Sequence, residues 1–347
     1  KKSNLILNSF DINIQDRIIF LSKSNNKNKF INFLFTQLPY NFPKIFFENY
    51  KDNIDNLKKL SFPKNPKKIM TAYDHHFNDL FNLYVAKNVE NQSKFYIFQH
   101  GGSYGISDNY TPEYFDISIS DKFFSWGWKN NKKVVPFYLQ KHFFVSEINQ
   151  YKKRDRIVIP TTEFHKCPVD IAPGRPRYKN ELDSYIDNIV LFIKKLDNKN
   201  KKKVSIKYLE ERNTDYVRES IYYAYPNLEF FKSDKNTYKT NFKICVETAN
   251  STGFLEGMHL NHPVILILDK KYSPIRKEAK KYFKLLHKLK IVHYSSDSAA
   301  NFINKNFEDI LKWWNSSETQ KVRNFFCNKF AKKSNNTFLD IKKIAKK

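Results

Sequence analysis

Phe95-Tyr96-Ile97-Phe98-Gln99-His100-Gly101-Gly102-Ser103-Tyr104-Gly105 joins an apolar run to a loop holding three of the chain's seven glycines. The run is dominated by aromatic and β-branched residues and reads as a strand. Upstream, Lys68-Ile69-Met70-Thr71-Ala72 reads as another. Between them, Asp79 to Val89 places Leu80, Phe81, Leu83, Tyr84 and Val85 as a buried helix would. Strand, helix, strand in that order implies a parallel sheet. Leu5-Ile6-Leu7 reads as a further strand near the start.

Downstream the pattern breaks and restarts. Residues 150–155 (Gln-Tyr-Lys-Lys-Arg-Asp) are polar, and Arg156-Ile157-Val158-Ile159-Pro160-Thr161-Thr162 then begins a strand that ends in a small polar loop. Further strands are expected at Val204 to Lys207, Leu228 to Phe231, Lys243 to Val246, Pro263 to Leu268 and Lys290 to His293. Helices are expected at Tyr178 to Leu196, Tyr216 to Ala224 and from near Gly253. Asn301 to Trp314 and Glu318 to Lys332 read as amphipathic helices, and the Lys-rich end as solvated. At 347 residues the chain exceeds what one core usually serves. The expectation is α/β, with two Rossmann-like doubly wound domains facing a central cleft. The first covers 1–152 and is the acceptor side; the second covers 153–316 and binds the nucleotide. Helices in 317–347 are expected to pack back on the first.

Hydrophobic residues make up 41% and aromatics 16%, which describes a globular chain. No apolar run reaches the ~20 residues of a membrane span, and Lys1-Lys2-Ser3-Asn4-Leu5 has no signal-peptide core behind it. A cytoplasmic location follows as an expectation, with peripheral contact at the inner face of the plasma membrane. Cys167, Cys245 and Cys327 lack metal-ligand spacing and read as reduced, buried residues. The 61 Lys and Arg against 35 acids give a net charge of +26. Abundant Asn, Ile, Phe and Tyr accompany the Lys excess, as a bias toward A- and T-rich codons would produce. What survives of the charge is a field that attracts anions. Neither an aromatic-interleaved RNA-binding signature nor a zinc-finger spacing is present, so nucleic acid is not the expected partner.

Scarce glycine points to two candidate sites, since it is required where backbone bends sharply or meets a ligand closely. The first is Gln99 to Gly105, at the carboxyl end of its strand, where open α/β sheets bind ligands. His100 is there the candidate acid/base, with Gly101, Gly102 and Tyr104 toward the substrate. Among the acids that follow, Glu113 is preferred over Asp116 and Asp121 as a chemical group. The second site is Glu247 to Pro263. A strand there meets the small polar run Asn250-Ser251-Thr252-Gly253, whose backbone N–H groups at a helix start suit a phosphate. Glu256 is placed to accept from ribose hydroxyls, and His262 lies on the turn beyond. Lys207 and Arg212 are candidates for neutralising phosphate or carboxylate, and Thr161 and Thr162 for lining the nucleotide site. His76, at another strand's carboxyl end, joins the substrate side. Adjacent His75 and His76 without a spaced carboxylate do not imply a metal, and no cofactor is expected.

FQHGGSYG (98–105), SDKFFSWGW (120–128) and ETANSTGFLEGMHLNHPVILILD (247–269), in that order, resemble the bacterial surface-polysaccharide transferases related to capsular Kdo transferases, a family including pseudaminic acid transferases. The resemblance covers the chain from about Ile69 to the C-terminal helices. It implies a GT-B fold, a CMP-activated nonulosonic acid donor, a glycan or lipid-linked glycan acceptor, and metal-independent transfer, leaning toward retention. It places the donor phosphate on Asn250, Ser251, Thr252 and Gly253, the ribose on Glu256, and His100 opposite them. A polyol-phosphate transferase of the CDP-glycerol type and a nucleic-acid-binding protein remain the rival readings.

Overall fold

The computed structural model describes residues 12–21, 27–140, 155–162, 179–208, 215–232 and 241–346. The chain forms two compact units, Lys1–Phe95 and Tyr96–Lys347. The boundary expected near 150–155 falls almost wholly outside the described residues, as do the strand expected at Leu5 to Leu7, Arg212 and Cys167.

In the first unit, α1 (Ile14–Leu21), α2 (Lys29–Asn41) and α3 (Tyr50–Lys59) precede β1 (Lys68–Thr71) and α4 (Asp79–Glu90). Asn28 caps α2 by accepting from Phe30 N and Ile31 N, and Asn78 caps α4 by accepting from Phe81 N. Helix α2 ends just before Phe42-Pro43, where proline disfavours helical backbone in the preceding residue. Arg17, 1% exposed, closes that end by donating to Pro39 O (3.1 Å) and Phe42 O (2.8 Å). Its remaining donors reach both Glu48 oxygens at 2.6 Å, which compensates the buried charge.

The second unit contains two parallel strand systems. In one, β2 (Lys94–Phe98, whose first two residues end the first unit), α5 (Thr111–Ile119), β3 (Lys122–Ser125) and β4 (Val134–Pro136) set Phe98 beside Phe124 and Phe124 beside Val135. In the other, β5 (Ile157–Pro160), α6 (Lys179–Lys195), α7 (Asn198–Lys201), β6 (Val204–Tyr208), α8 (Asp215–Ala224) and β7 (Glu229–Lys232) come first. They are followed by β8 (Ile244–Glu247), α9 (Thr252–His259), β9 (Val264–Ile267), α10 (Lys277–Lys288), β10 (Val292–His293) and α11 (Ser296–Asn306). The six strands run parallel in the order β10-β9-β8-β5-β6-β7. Counted within this sheet from β7, that is 3-2-1-4-5-6, the doubly wound Rossmann order.

Burial explains why these strands could be read from sequence. Strands β8 and β9 are buried at every position, as a parallel sheet covered on both faces requires. Ile157, Ile159, Val204, Ile206, Ile244 and Val246 pack with Phe192 and Ile193 of α6 and Ile303 of α11, while α9 and α10 pack on β8, β9 and β10. The expected helix at 301–314 is instead α11 followed by α12 (Ile310–Trp314), with a break at Phe307 to Asp309. The Lys-rich end forms α14 (Thr337–Lys346), whose side chains at 338–346 are exposed or half-buried, and the Asn336 side chain before it accepts from Leu339 N. Helix α13 (Ser317–Phe330) packs on α9 and α10, and Lys332 beyond it bonds Trp126 O and Leu139 N through its backbone at 2.9 Å each. Among the described residues no helix is long and apolar enough to cross a membrane.

His293, at the end of β10, is fully buried and neutral. Its Nδ1 accepts from Ser298 Oγ and its Nε2 donates to Lys290 O, both at 2.9 Å. Burial pushes its pKa down to about 4. Below the ordinary value of about 6.5 the unfolded chain takes up the proton first, so stability falls as pH drops from there toward 4, by about 3 kcal/mol at most. Unfolding free energy measured across this window should fall more steeply for the native chain than for His293→Gln, and parallel curves would refute the assignment.

Candidate active site

The loop after β2 is set by Gln99, which is 1% exposed. Its backbone N continues the ladder to Phe124 O (2.9 Å), while Oε1 accepts from Trp126 N and Trp128 Nε1 at 2.8 Å each. Its Nε2 donates to Gly101 O at 2.7 Å. The glutamine thereby fixes the backbone on both sides of His100, and both tryptophans pack rather than stand in a cleft.

His100 remains partly exposed, at 19% of its side chain. Behind it lies Tyr104, fully buried, with its hydroxyl 3.3 Å from His100 Nδ1. That hydroxyl donates to Asp116 Oδ2 at 2.7 Å, and the same carboxylate oxygen lies 4.0 Å from His100 Nδ1. Burial first, and then the Asp116 charge, push the Tyr104 pKa far up, so Tyr104 stays a neutral donor. With its one proton committed to Asp116, the Tyr104 oxygen is left as an acceptor facing the His100 ring, whose Nδ1 and Nε2 lie 3.3 and 3.5 Å away.

Asp116 was passed over in the sequence in favour of Glu113. Both are fully buried, one turn apart on α5. Glu113 accepts from Gly105 N (2.7 Å), Asn130 Nδ2 (3.1 Å), Arg276 Nη1 (2.9 Å) and Arg276 Nη2 (3.1 Å). Four donors saturate the carboxylate, so in this geometry Glu113 anchors Arg276 instead of facing a reacting group. The available signal was the i, i+3 spacing of two acids on a short helix, which places both on one face.

Arg276 connects the two motif segments. It also donates from Nε and Nη2 to Ser107 O (3.2 and 3.1 Å), beside the bridge that pairs Ser107 with Ile275. Further along, Gly102 N donates to Thr252 Oγ1 (3.1 Å), Ser103 Oγ to Asn250 O (3.2 Å) and Asn250 Nδ2 to Ser107 Oγ (3.4 Å). Segments about 150 residues apart therefore touch directly. A Cβ at Gly102 would lie 2.5 Å from Ser251 C and Thr252 N, so only glycine permits the approach. At Gly253 a Cβ would lie 2.7 Å from both Glu247 carboxylate oxygens, which places that carboxylate against the first turn of α9. Ser251 is the N-cap of α9 but makes no capping bond with its hydroxyl.

The other expected residues fall in three places. Thr161 bonds Lys207 O through its N (2.9 Å) and Oγ1 (3.2 Å). Thr162 N and Thr248 Oγ1 both donate to the Tyr185 hydroxyl at 2.9 Å, which joins the ends of β5 and β8. That is the switch point of the sheet, where strand order reverses and a crevice opens. Tyr185, missed in the sequence, is buried and its pKa is raised by that burial. Glu256 and His262 are buried at 3% and 0% exposure, with His262 N bonded to Gly257 O. His76 belongs to the first unit, on the turn Asp74–His76, its ring 4.1 Å from that of His75.

The fold and site define a doubly wound α/β protein whose candidate site is composed of two loops, each following the carboxyl end of a parallel strand. The chain belongs to the LIC12162 family transferases, which it matches over residues 2–344. No curated protein matches it. Among solved structures it is similar to OtsA in its apo form (9% identity, 84% of this chain and 77% of that one, TM-score 0.44). It is also similar to WaaG, a glycosyltransferase involved in lipopolysaccharide biosynthesis (10%, 85% and 80%, TM-score 0.39), and to the trehalose-6-phosphate synthase OtsA (7%, 90% and 82%, TM-score 0.38). Likenesses at these TM-scores carry no argument about the chain.

Arg276→Met strands a buried carboxylate and should cost about 3–5 kcal/mol of stability. Glu113→Leu combined with Arg276→Met should recover much of that loss. Urea unfolding of the three chains tests the anchor role. A Glu113→Gln protein of unchanged stability but abolished turnover would instead make Glu113 a reacting group.

Proposed function

We propose that the chain is a glycosyltransferase of the GT-B type that moves a nonulosonic acid, pseudaminic acid or Kdo-like, from a CMP-activated donor to a bacterial surface glycan. The observation that carries this reading is the direct contact of the His100 loop with the first turn of α9, through Gly102 N to Thr252 Oγ1 at 3.1 Å. It sets a titratable side chain two residues from backbone that lies on a helix N-terminus. Cleavage of a CMP-sugar requires such a pairing. Negative charge grows on the departing phosphate while the anomeric carbon takes on oxocarbenium character.

In this reading the phosphate lies on the Asn250 to Gly253 turn, which the helix dipole favours and to which Ser251 offers a hydroxyl not used for capping. The ribose lies toward Glu256, and the rest of the nucleotide along Thr161, Thr162 and Lys207 at the switch point. His100 holds the acceptor hydroxyl and relieves it of its proton as the new C–O bond forms. The old anomeric C–O bond breaks ahead of it with its electron pair on the phosphate, and the acceptor enters the oxocarbenium-like centre on the face the phosphate leaves, as retention requires. Tyr104 and Asp116 orient the imidazole and stabilise the charge it gains. The domain division at 1–152 and 153–316, a cytoplasmic location and independence of metal belong to the same proposal, as does retention of configuration.

CMP should raise the melting temperature and CDP should not, a site held at a hundredfold excess over Kd gaining about 2.7 kcal/mol. Ser251→Ala with Thr252→Ala should weaken CMP binding by ~1.5–3 kcal/mol per lost bond to the phosphate. His100→Ala should reduce turnover by ~10²–10⁴ with CMP affinity nearly intact. Polyol-phosphate transfer from a CDP-polyol also releases CMP, so turnover of CDP-glycerol in place of a CMP-nonulosonate would favour that rival, and full turnover per folded His100→Ala molecule would remove the role given to that residue.

A further inference from the structure

Helix α10 carries Lys277, Lys281, Lys284 and Lys288, all exposed. At ~100° per residue these four lie within about 60° of one another on the wheel. They stand opposite Ala279, Tyr282, Phe283 and Leu286, which face the core. Lys280 flanks the stripe, and Lys321 adds a further exposed lysine from the neighbouring α13. Between the helices Leu285 and Phe325 protrude, 36% and 45% exposed, on the rim of a shallow groove of ≈ 530 Å³. The Phe325 ring lies on Tyr282, centroids 4.7 Å apart and planes 21° apart, so it is held outward on a firm support.

A Lys-rich chain places lysines on most exposed faces, and some of those on this unit are matched by acids. Lys199, Lys203 and Lys243 converge on Glu308, Lys203 also meets Asp155, and Lys195 meets Asp297. None of the four stripe lysines, nor Lys321, has an acidic partner within ion-pair distance among the described residues. The acid of α10 is Glu278, in its first turn. A line of uncompensated cations, ~16 Å long from Lys277 to Lys288 at 1.5 Å per residue, with two apolar side chains beside it, matches a flat anionic surface.

We infer that the outer face of α10 and α13 docks this protein on an anionic lipid bilayer. The lysines neutralise headgroup charge, while Leu285 and Phe325 enter the headgroup region. The inference does not depend on the transfer chemistry.

The test is co-sedimentation of the full chain with vesicles of phosphatidylcholine alone or with a third of phosphatidylglycerol. Binding should require the anionic lipid and weaken with salt. Lys281→Gln/Lys284→Gln/Lys288→Gln should lower the partition coefficient about a hundredfold, at ~fivefold per lysine. Phe325→Ser should weaken the binding that survives at high salt. Lys87→Gln/Lys129→Gln/Lys132→Gln removes as much charge elsewhere and should bind nearly as well as the native chain. Equal loss in both triple variants would assign the binding to the general field of the protein and overturn the inference. So would an absence of binding, or preferential capture of polyglutamate over vesicles, which would make the face a site for an acidic polypeptide. All substituted side chains are exposed, and an unchanged melting temperature confirms that the variants are folded.

Discussion

The buried carboxylate of Glu113 cannot remain ionised without compensation, and Arg276, which reaches it with two parallel hydrogen bonds, comes from the other strand system. The candidate site depends on this pair. Arg276 N also donates to Ile106 O, and Asp108 N to Pro274 O, so 106–108 and 274–276 are joined backbone to backbone. That register determines what lies a few residues further along: Gly102 against Thr252, and Ser103 against Asn250. Those contacts are neutral hydrogen bonds worth about 0.5–1.5 kcal/mol each, too little to align two long loops without the charged pair beside them.

A second constraint is steric. Backbone meets backbone at Gly102, and a carboxylate meets backbone at Gly253. Their glycines thus serve close internal approach as well as any ligand. Gln99 completes the arrangement, because one side-chain amide holds Gly101, Trp126 and Trp128 together. Hydrogen bonds hold the loop up to His100 and again from Tyr104, and the imidazole between them still reaches solvent.

The six-stranded sheet was legible because its strands are uninterrupted apolar runs, such as Val264-Ile265-Leu266-Ile267, and parallel strands buried on both faces leave that trace. Helices α1 to α3 were not legible. Lys, Asn and Asp dilute their apolar spacing, and Arg17, whose side chain closes the end of α2, looks in sequence like any surface cation. Helix α10 was missed for the same reason, with five lysines around its core positions Ala279, Tyr282, Phe283 and Leu286. The two glycine-bearing segments were recognisable as candidate sites because glycine is scarce in the chain. Their contact was not, because it depends on an ion pair between residues 163 positions apart.

The choice between Glu113 and Asp116 shows what sequence leaves undecided. Both are acids on one face of one short helix, and both are fully buried. Four donors around Glu113 leave its charge fixed and its lone pairs occupied. Asp116 accepts from Tyr104 and keeps its charge within 4.0 Å of His100, where it favours a proton arriving on the imidazole. Pairing with the Arg276 guanidinium offsets much of the Glu113 field. Tyr104 is a neutral phenol and offsets none of the Asp116 charge, so of the two acids on this helix face Asp116, one turn later, is the one whose field acts on the His100 ring.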